Sequence, residues 1–126
     1  MKNVLLDTDI LINFLRGSAR AREEIASLLD TSVLHCSVVT IAEIHAGMRE
    51  HERGKTIELL ESLIPVDITP KIAEMAGHYK RTVKSQKLEL DDCFIAASAV
   101  VKGALLVTGN GKHYPMSDIE KKVVSI

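Results

Sequence analysis

The 126-residue sequence contains no tryptophan and only two phenylalanines and two tyrosines. So few rings exclude a nucleic-acid binder that stacks successive bases on an aromatic platform. Charge of one sign is equally scarce in excess: 16 Lys+Arg stand against 17 Asp+Glu, a formal net charge of −1. A strongly basic surface that attracts nucleic acid in bulk is therefore excluded too. The two cysteines, Cys36 and Cys93, sit in the apolar runs VLHCSVV and DDCFIAA. They read as buried thiols of a cytoplasmic protein, not as a disulfide framework. None of the five histidines falls into a HExxH or paired Cys/His spacing, which argues against zinc. No apolar run approaches the roughly 18–20 residues of a membrane span. The start, MKNVLLD, reaches an acid at Asp7, too soon for the apolar stretch of a secretory signal.

What remains is ordinary for a folded domain: 46% hydrophobic and 26% charged residues. A chain of this length buries roughly two-thirds of its unfolded surface, enough for one core and one domain over 1–126. Short apolar runs alternate with helical patterns. Residues 3–6, 33–36, 64–68, 104–107 and 122–126 read as strands, apolar on successive positions as in parallel sheets covered on both faces. Between them, apolar residues recur at helical spacing: Ile25, Leu28 and Leu29; Ile41, Ile44 and Met48; Ile57, Leu60 and Leu63; Ile72, Met75, Ala76, Tyr79 and Val83. The segment 93–101 is apolar all round and predicts a buried helix capped at Gly103. This pattern predicts an α/β domain, a mostly parallel sheet of four to five strands with right-handed crossovers. In such sheets the functional cleft lies beyond the carboxyl ends of the strands.

Acids fall at those ends. Asp7 follows the first strand, with Thr8 and Asp9 in the same turn. Glu43 follows the second, and Asp91 and Asp92 open the apolar helix. Asn110 lies in the polar turn after Leu106-Val107-Thr108. Each has a plain alternative: Asp7 as a helix cap, Thr40 and Glu43 as a capping box, Asn110 as a turn residue. Asp92 is harder to explain so, because a carboxylate at the mouth of a buried helix is expensive to desolvate. Taken together, the topology brings Asp7, Glu43, Asp92 and Asn110 to one rim. Carboxylates roughly 4 Å apart repel by about 4 kcal/mol at an effective dielectric near 20. Such a cluster requires protons or a cation, and an all-oxygen set suits Mg²⁺ or Mn²⁺. Phosphoryl or phosphodiester displacement is the chemistry such a site serves.

The stretches LLDTDILINFLRG, TIAEIHAGM, LDDCFIAASA and LLVTGNGKHYP, in that order along the chain, resemble a PIN-domain ribonuclease, specifically a VapC-type toxin of a toxin–antitoxin pair. The resemblance implies a three-layer α/β/α sandwich and Mg²⁺- or Mn²⁺-dependent endonucleolytic cleavage of structured RNA (tRNA or rRNA). It implies Asp7, Glu43 and Asp92 as the metal-holding acids and Asn110 at the fourth catalytic position, where many relatives carry Asp. Thr8, Thr108 and Asp91 take supporting roles. A metal-activated water would attack the phosphodiester in line, leaving a 5′-phosphate and a 3′-hydroxyl. The implied partners are a cognate antitoxin that covers the acidic cleft, the RNA, and a second copy in a homodimer. Arg16, Lys112 and His113 are the RNA-contact candidates nearest the rim. Lys80, Lys84 and Lys87, spaced i, i+4 and i+7 on a helix expected over 70–86 with Arg81 beside them, form a second basic group.

Three rival readings stay open at this level. A haloacid-dehalogenase-type phosphatase would use Asp7 as nucleophile and Asp9 as acid; on the nuclease reading Asp9 is dispensable. A response-regulator receiver would use Asp67 as phosphoacceptor with Lys112. A non-catalytic interaction module would have no reason to bind Mn²⁺.

Overall fold

The computed structural model describes residues 1–126. Strands β1 (Lys2–Leu6), β2 (Ser32–Ser37), β3 (Ile64–Val66), β4 (Leu105–Thr108) and β5 (Lys121–Val123) form one sheet in the order β3-β2-β1-β4-β5. All four pairings are parallel. The helices are α1 (Thr8–Leu15), α2 (Ala19–Leu28), α3 (Val38–Gly47), α4 (Arg53–Glu61), α5 (Pro70–Thr82) and α6 (Leu90–Val101). The five strand runs and the parallel sheet expected from the sequence are present, with β3 and β5 shorter than their apolar runs.

Alternation along the strands divides the core. Leu5 and Leu106 point into a layer with Ile72, Ala76, Ile95 and Ala99, under α5 and α6. Val4, Leu6 and Val107 point the other way, to Ile10, Ile25, Ile44 and Leu59 under α1 to α4. Three layers result, with Cys93 in one core and Cys36 in the other. Both thiols are free and buried. Full burial of a Leu or Ile stabilises by about 1.5–3 kcal/mol. Strand order reverses between β1 and β4: β2 and β3 build outward on one side of β1, β4 and β5 on the other. Side chains at the ends of β1 and β4 therefore face a gap from which the crossovers diverge.

Local chemistry sets the helix starts. Asp7, Ser18, Ser37 and Thr69 each cap a helix through the side chain, and Pro70 begins α5. Helix α6 ends ahead of Gly103, whose φ of +59° a β-carbon would strain.

Four sequence expectations are corrected. Ser37 caps α3, so Thr40 lies inside the helix and the Thr40–Glu43 capping box does not form. Helix α5 stops at Thr82, because Val83 is extended and carries the chain round to bury Leu88. Lys84 and Lys87 thus lie beyond the helix, and Lys80 donates to the Leu88 carbonyl, so no lysine stripe exists. On α4 the buried positions are Thr56 and Leu59, with Leu63 just beyond, whereas Ile57 and Leu60 are half-buried. Leu29, beyond the end of α2, is 59% exposed.

Because Leu106 is fully buried on β4, Leu106→Ala is expected to lower unfolding free energy by about 2–5 kcal/mol. Denaturant titration with an unchanged m-value measures this; a loss below about 1 kcal/mol would contradict the assigned packing.

Candidate active site

Asp7 leaves β1 at the strand-order reversal. Its amide donates to the Val107 carbonyl on β4 at 2.9 Å, continuing the sheet by one bond. The carboxylate is nearly fully buried and doubly held: Oδ1 accepts from the Thr8 amide (2.8 Å) and Oδ2 from the Thr108 hydroxyl (2.7 Å). Capping and site membership are thus one geometry. Thr108 in turn accepts from the Asn110 amide at 2.9 Å, which shapes the turn after β4. Burial pushes the Asp7 carboxyl up, and the two short hydrogen bonds oppose it.

Glu43 lies within α3, because that helix begins directly from β2 without an intervening turn. Its Oε1 accepts from the Thr8 hydroxyl at 2.7 Å, and the same hydroxyl pairs with that of Thr40 at 2.9 Å. Burial, followed by the Asp91 carboxyl it faces, raises Glu43 to about 7. Asp91 and Asp92 occupy the first turn of α6, which has no side-chain cap of its own. The Asp91 carboxylate accepts from the Asp92 amide at 3.0 Å. Asp92 is raised to about 6 by burial and by the Asp91 charge. Its Oδ2 lies 3.3 Å from His113 Nδ1, and its Oδ1 accepts from the Tyr114 hydroxyl at 3.3 Å.

Asp7, Thr8, Glu43, Asp91, Asp92, Asn110 and His113 line one cleft. The sequence-derived acids therefore converge from β1, α3 and α6 with the β4 turn. Arg16 does not join them: it lies at the far end of α1, in a groove with Ile44, Met48 and Thr56. Lys112 is exposed in a neighbouring polar groove that shares Asn110 with the cleft.

Asp9, which the nuclease reading leaves without a role, lines the same cleft. Its Oδ2 accepts from the Gly109 amide at 3.0 Å, and its Oδ1 is buried without a partner. A β-carbon at position 109 would stand 2.7 Å from that Oδ2, so only glycine permits the contact. Burial and the Asp7 charge raise Asp9 to about 6. Glu89 and Tyr114 also escaped the sequence reading. Glu89 lines the cleft just before α6, and Tyr114 is fully buried beneath it. Only the HYP segment after Asn110 hinted at Tyr114. Asp67, the receiver's phosphoacceptor candidate, is exposed beyond edge strand β3, two strands from β1.

No Lys or Arg forms an ion pair with these acids; His113 is the one basic side chain within 4 Å of them. No three His, Cys, Asp or Glu side chains enclose an ion as they stand. Mg²⁺ keeps several waters and is bound through one or two carboxylates, so it does not require a closed all-protein cage. The donor set is oxygen throughout, and three of its acids are raised by crowding and burial, the condition a cation relieves.

Residues 4–119 match the family model for the PIN domain. The chain is 38% identical over 115 residues to Ribonuclease VapC10 of Mycobacterium tuberculosis, covering 90% of this chain and 86% of that protein. A toxin–antitoxin complex from Klebsiella pneumoniae contains a chain with TM-score 0.80 and 25% identity, matched over 92% of this chain and 94% of that one. VapBC2 from Rickettsia felis, solved bound to a DNA fragment from its promoter, shares the fold at TM-score 0.86 and 20% identity, over 96% of this chain and 98% of that one. The chain belongs to the PIN domain family.

Proposed function

We propose that this protein is a metal-dependent endoribonuclease, the toxin of a toxin–antitoxin pair, that cleaves structured RNA such as tRNA or rRNA. The observation that carries the reading is the convergence of Asp7, Glu43 and Asp92 on one cleft with no lysine or arginine to neutralise them. A PIN chain 38% identical to a named ribonuclease supports it.

Asp7, Asp92 and Glu43 would hold one Mg²⁺ or Mn²⁺, in part through water. When bound, the ion supplies a nucleophilic water at neutral pH and neutralises the scissile phosphate. Thr108 and the Thr8 amide fix both oxygens of Asp7, and the Thr8 hydroxyl fixes Glu43, so the acids are pre-oriented. Asn110 contributes a neutral amide where an acid would add charge, which favours one ion over two. His113 and Lys112, exposed at the edge of the cleft, would meet phosphate. A cognate antitoxin with a basic side chain would cover the acids, and the toxin would act as a homodimer in the cytoplasm. No helix is long and apolar enough to cross a membrane.

Sequencing of RNA ends after induced expression should reveal discrete new termini, absent with Asp7→Asn. Chelator should abolish cleavage and Mn²⁺ restore it, and Asp92→Asn should lower the rate by more than about 100-fold, since loss of outer partners alone costs 10–100-fold. Cleavage undiminished in excess chelator would remove the metal from the account.

Stability should move the opposite way. An acid whose folded pKa is raised is favoured protonated by folding, so its stabilising effect is full below its unfolded pKa and is lost as pH rises through the folded value. For Asp9 and Asp92 that loss begins above the ordinary carboxyl value of 3.8 and is complete above about pH 6, and for Glu43 it runs from 4.5 to about pH 7. Metal-free Glu43→Gln should therefore melt higher than wild type at pH 7.5, with a smaller gap at pH 5, while losing cleavage. A lower melting temperature at both pH values would contradict this. Lys112→Ala should weaken RNA binding and reduce the slope of log affinity against log salt by about 0.7–0.9, measured by filter binding. An unchanged slope would exclude a phosphate contact.

A further inference from the structure

Tyr114 is fully buried, its ring packed in the core beneath α5 and α6 with Ile95 and Leu106. The backbone around it is pinned: its amide donates to the Gly111 carbonyl at 3.1 Å, and its carbonyl accepts from Lys121 Nζ at 2.8 Å. A phenylalanine would fill the same ring volume without a hydroxyl to desolvate. A buried phenol therefore needs a polar partner to offset its cost. The partner in the structure is the Asp92 carboxylate, whose Oδ1 accepts at 3.3 Å. The hydroxyl also favours the charged form of the Asp7 carboxylate, after the bonds Asp7 receives from Thr108 and Thr8.

Asp7 ends β1 and Asp92 opens α6, and no direct bond joins their side chains. The Tyr114 hydroxyl reaches Asp92 from the core, whereas Asp7 is held by Thr8 and Thr108. We propose that Tyr114 is a positioning residue, whose hydroxyl, delivered from the core by a fixed ring, holds the Asp92 carboxylate where it would receive the divalent cation. This rests on the metal-dependent reading above. Tyr114 touches neither cation nor RNA and acts only through Asp92.

Tyr114→Phe removes one oxygen and keeps the ring. The fold should persist, read by far-ultraviolet circular dichroism and the melting curve of the metal-free protein. Calorimetric titration with Mn²⁺ alone should show affinity weakened by about 10-fold or more, the range for loss of an outer partner. The Mg²⁺ concentration for half-maximal RNA cleavage should rise by a similar factor, with a smaller change in rate at saturation. Wild-type protein offers a second readout that needs no variant. With Tyr79 and Tyr114 its only tyrosines and no tryptophan, its near-ultraviolet tyrosine absorbance should change along the Mg²⁺ binding curve. Tyr114→Phe should lose that change. Wild-type Mn²⁺ affinity in the variant, or a wild-type spectrum unmoved at saturating Mg²⁺, would overturn the role of Tyr114 and leave the metal reading intact. Absence of any Mn²⁺ binding by wild type would overturn both.

Discussion

The reversal of strand order between β1 and β4 is the constraint from which the site follows. Asp7 and Thr108 end adjacent parallel strands, joined by the Asp7 amide to the Val107 carbonyl and by the Thr108 hydroxyl to the Asp7 carboxylate. One buried carboxylate is thereby fixed at the floor of the gap. Helices α3 and α6, packed on opposite faces of the sheet, bring Glu43 and Asp92 to it from either side. None of these acids could sit elsewhere without changing the topology.

The same constraint explains the electrostatics. A fold that gathers carboxylates at one rim raises their pKa values by burial and mutual repulsion, and the hydroxyls of Thr8, Thr108 and Tyr114 oppose this only locally. Lys2, Lys122 and Lys121 pair elsewhere, with Glu120, Glu24 and backbone carbonyls, and no Lys or Arg forms an ion pair with the cluster. A near-neutral composition thus hides a strongly acidic cleft. Bound Mg²⁺ would invert its sign, which reconciles an RNA substrate with a chain of net charge −1.

Asp7, Asp92 and Asn110 were legible in the sequence because each stands where an apolar run ends or a helix begins, and topology carries such positions to the cleft. Glu43 lies inside α3 and reaches the same cleft because that helix starts directly from the end of β2. Asp9 and Tyr114 were not legible, because their places depend on the path of residues 109–114, where Gly109 lets the Asp9 carboxylate reach a backbone amide. The end of α5 was misread for a related reason. No Gly or Pro marks Val83, and the helix stops there because Leu88 is buried, a long-range packing choice that helical periodicity does not encode. The Thr40–Glu43 spacing misled because Ser37, three residues earlier, takes the cap. Arg16 seemed close to the rim only by proximity in sequence; α1 carries it to its far end.

The central claim is that crowded, partly protonated carboxylates await a divalent cation. Proton release on adding Mg²⁺ to metal-free protein at pH 6.5, measured by calorimetry in two buffers of different ionisation enthalpy, tests it most directly. With Glu43 raised to about 7 and Asp9 and Asp92 to about 6, binding should expel protons from wild type and expel fewer from Glu43→Gln. Mg²⁺ binding without proton release, or with equal release from both proteins, would contradict the account.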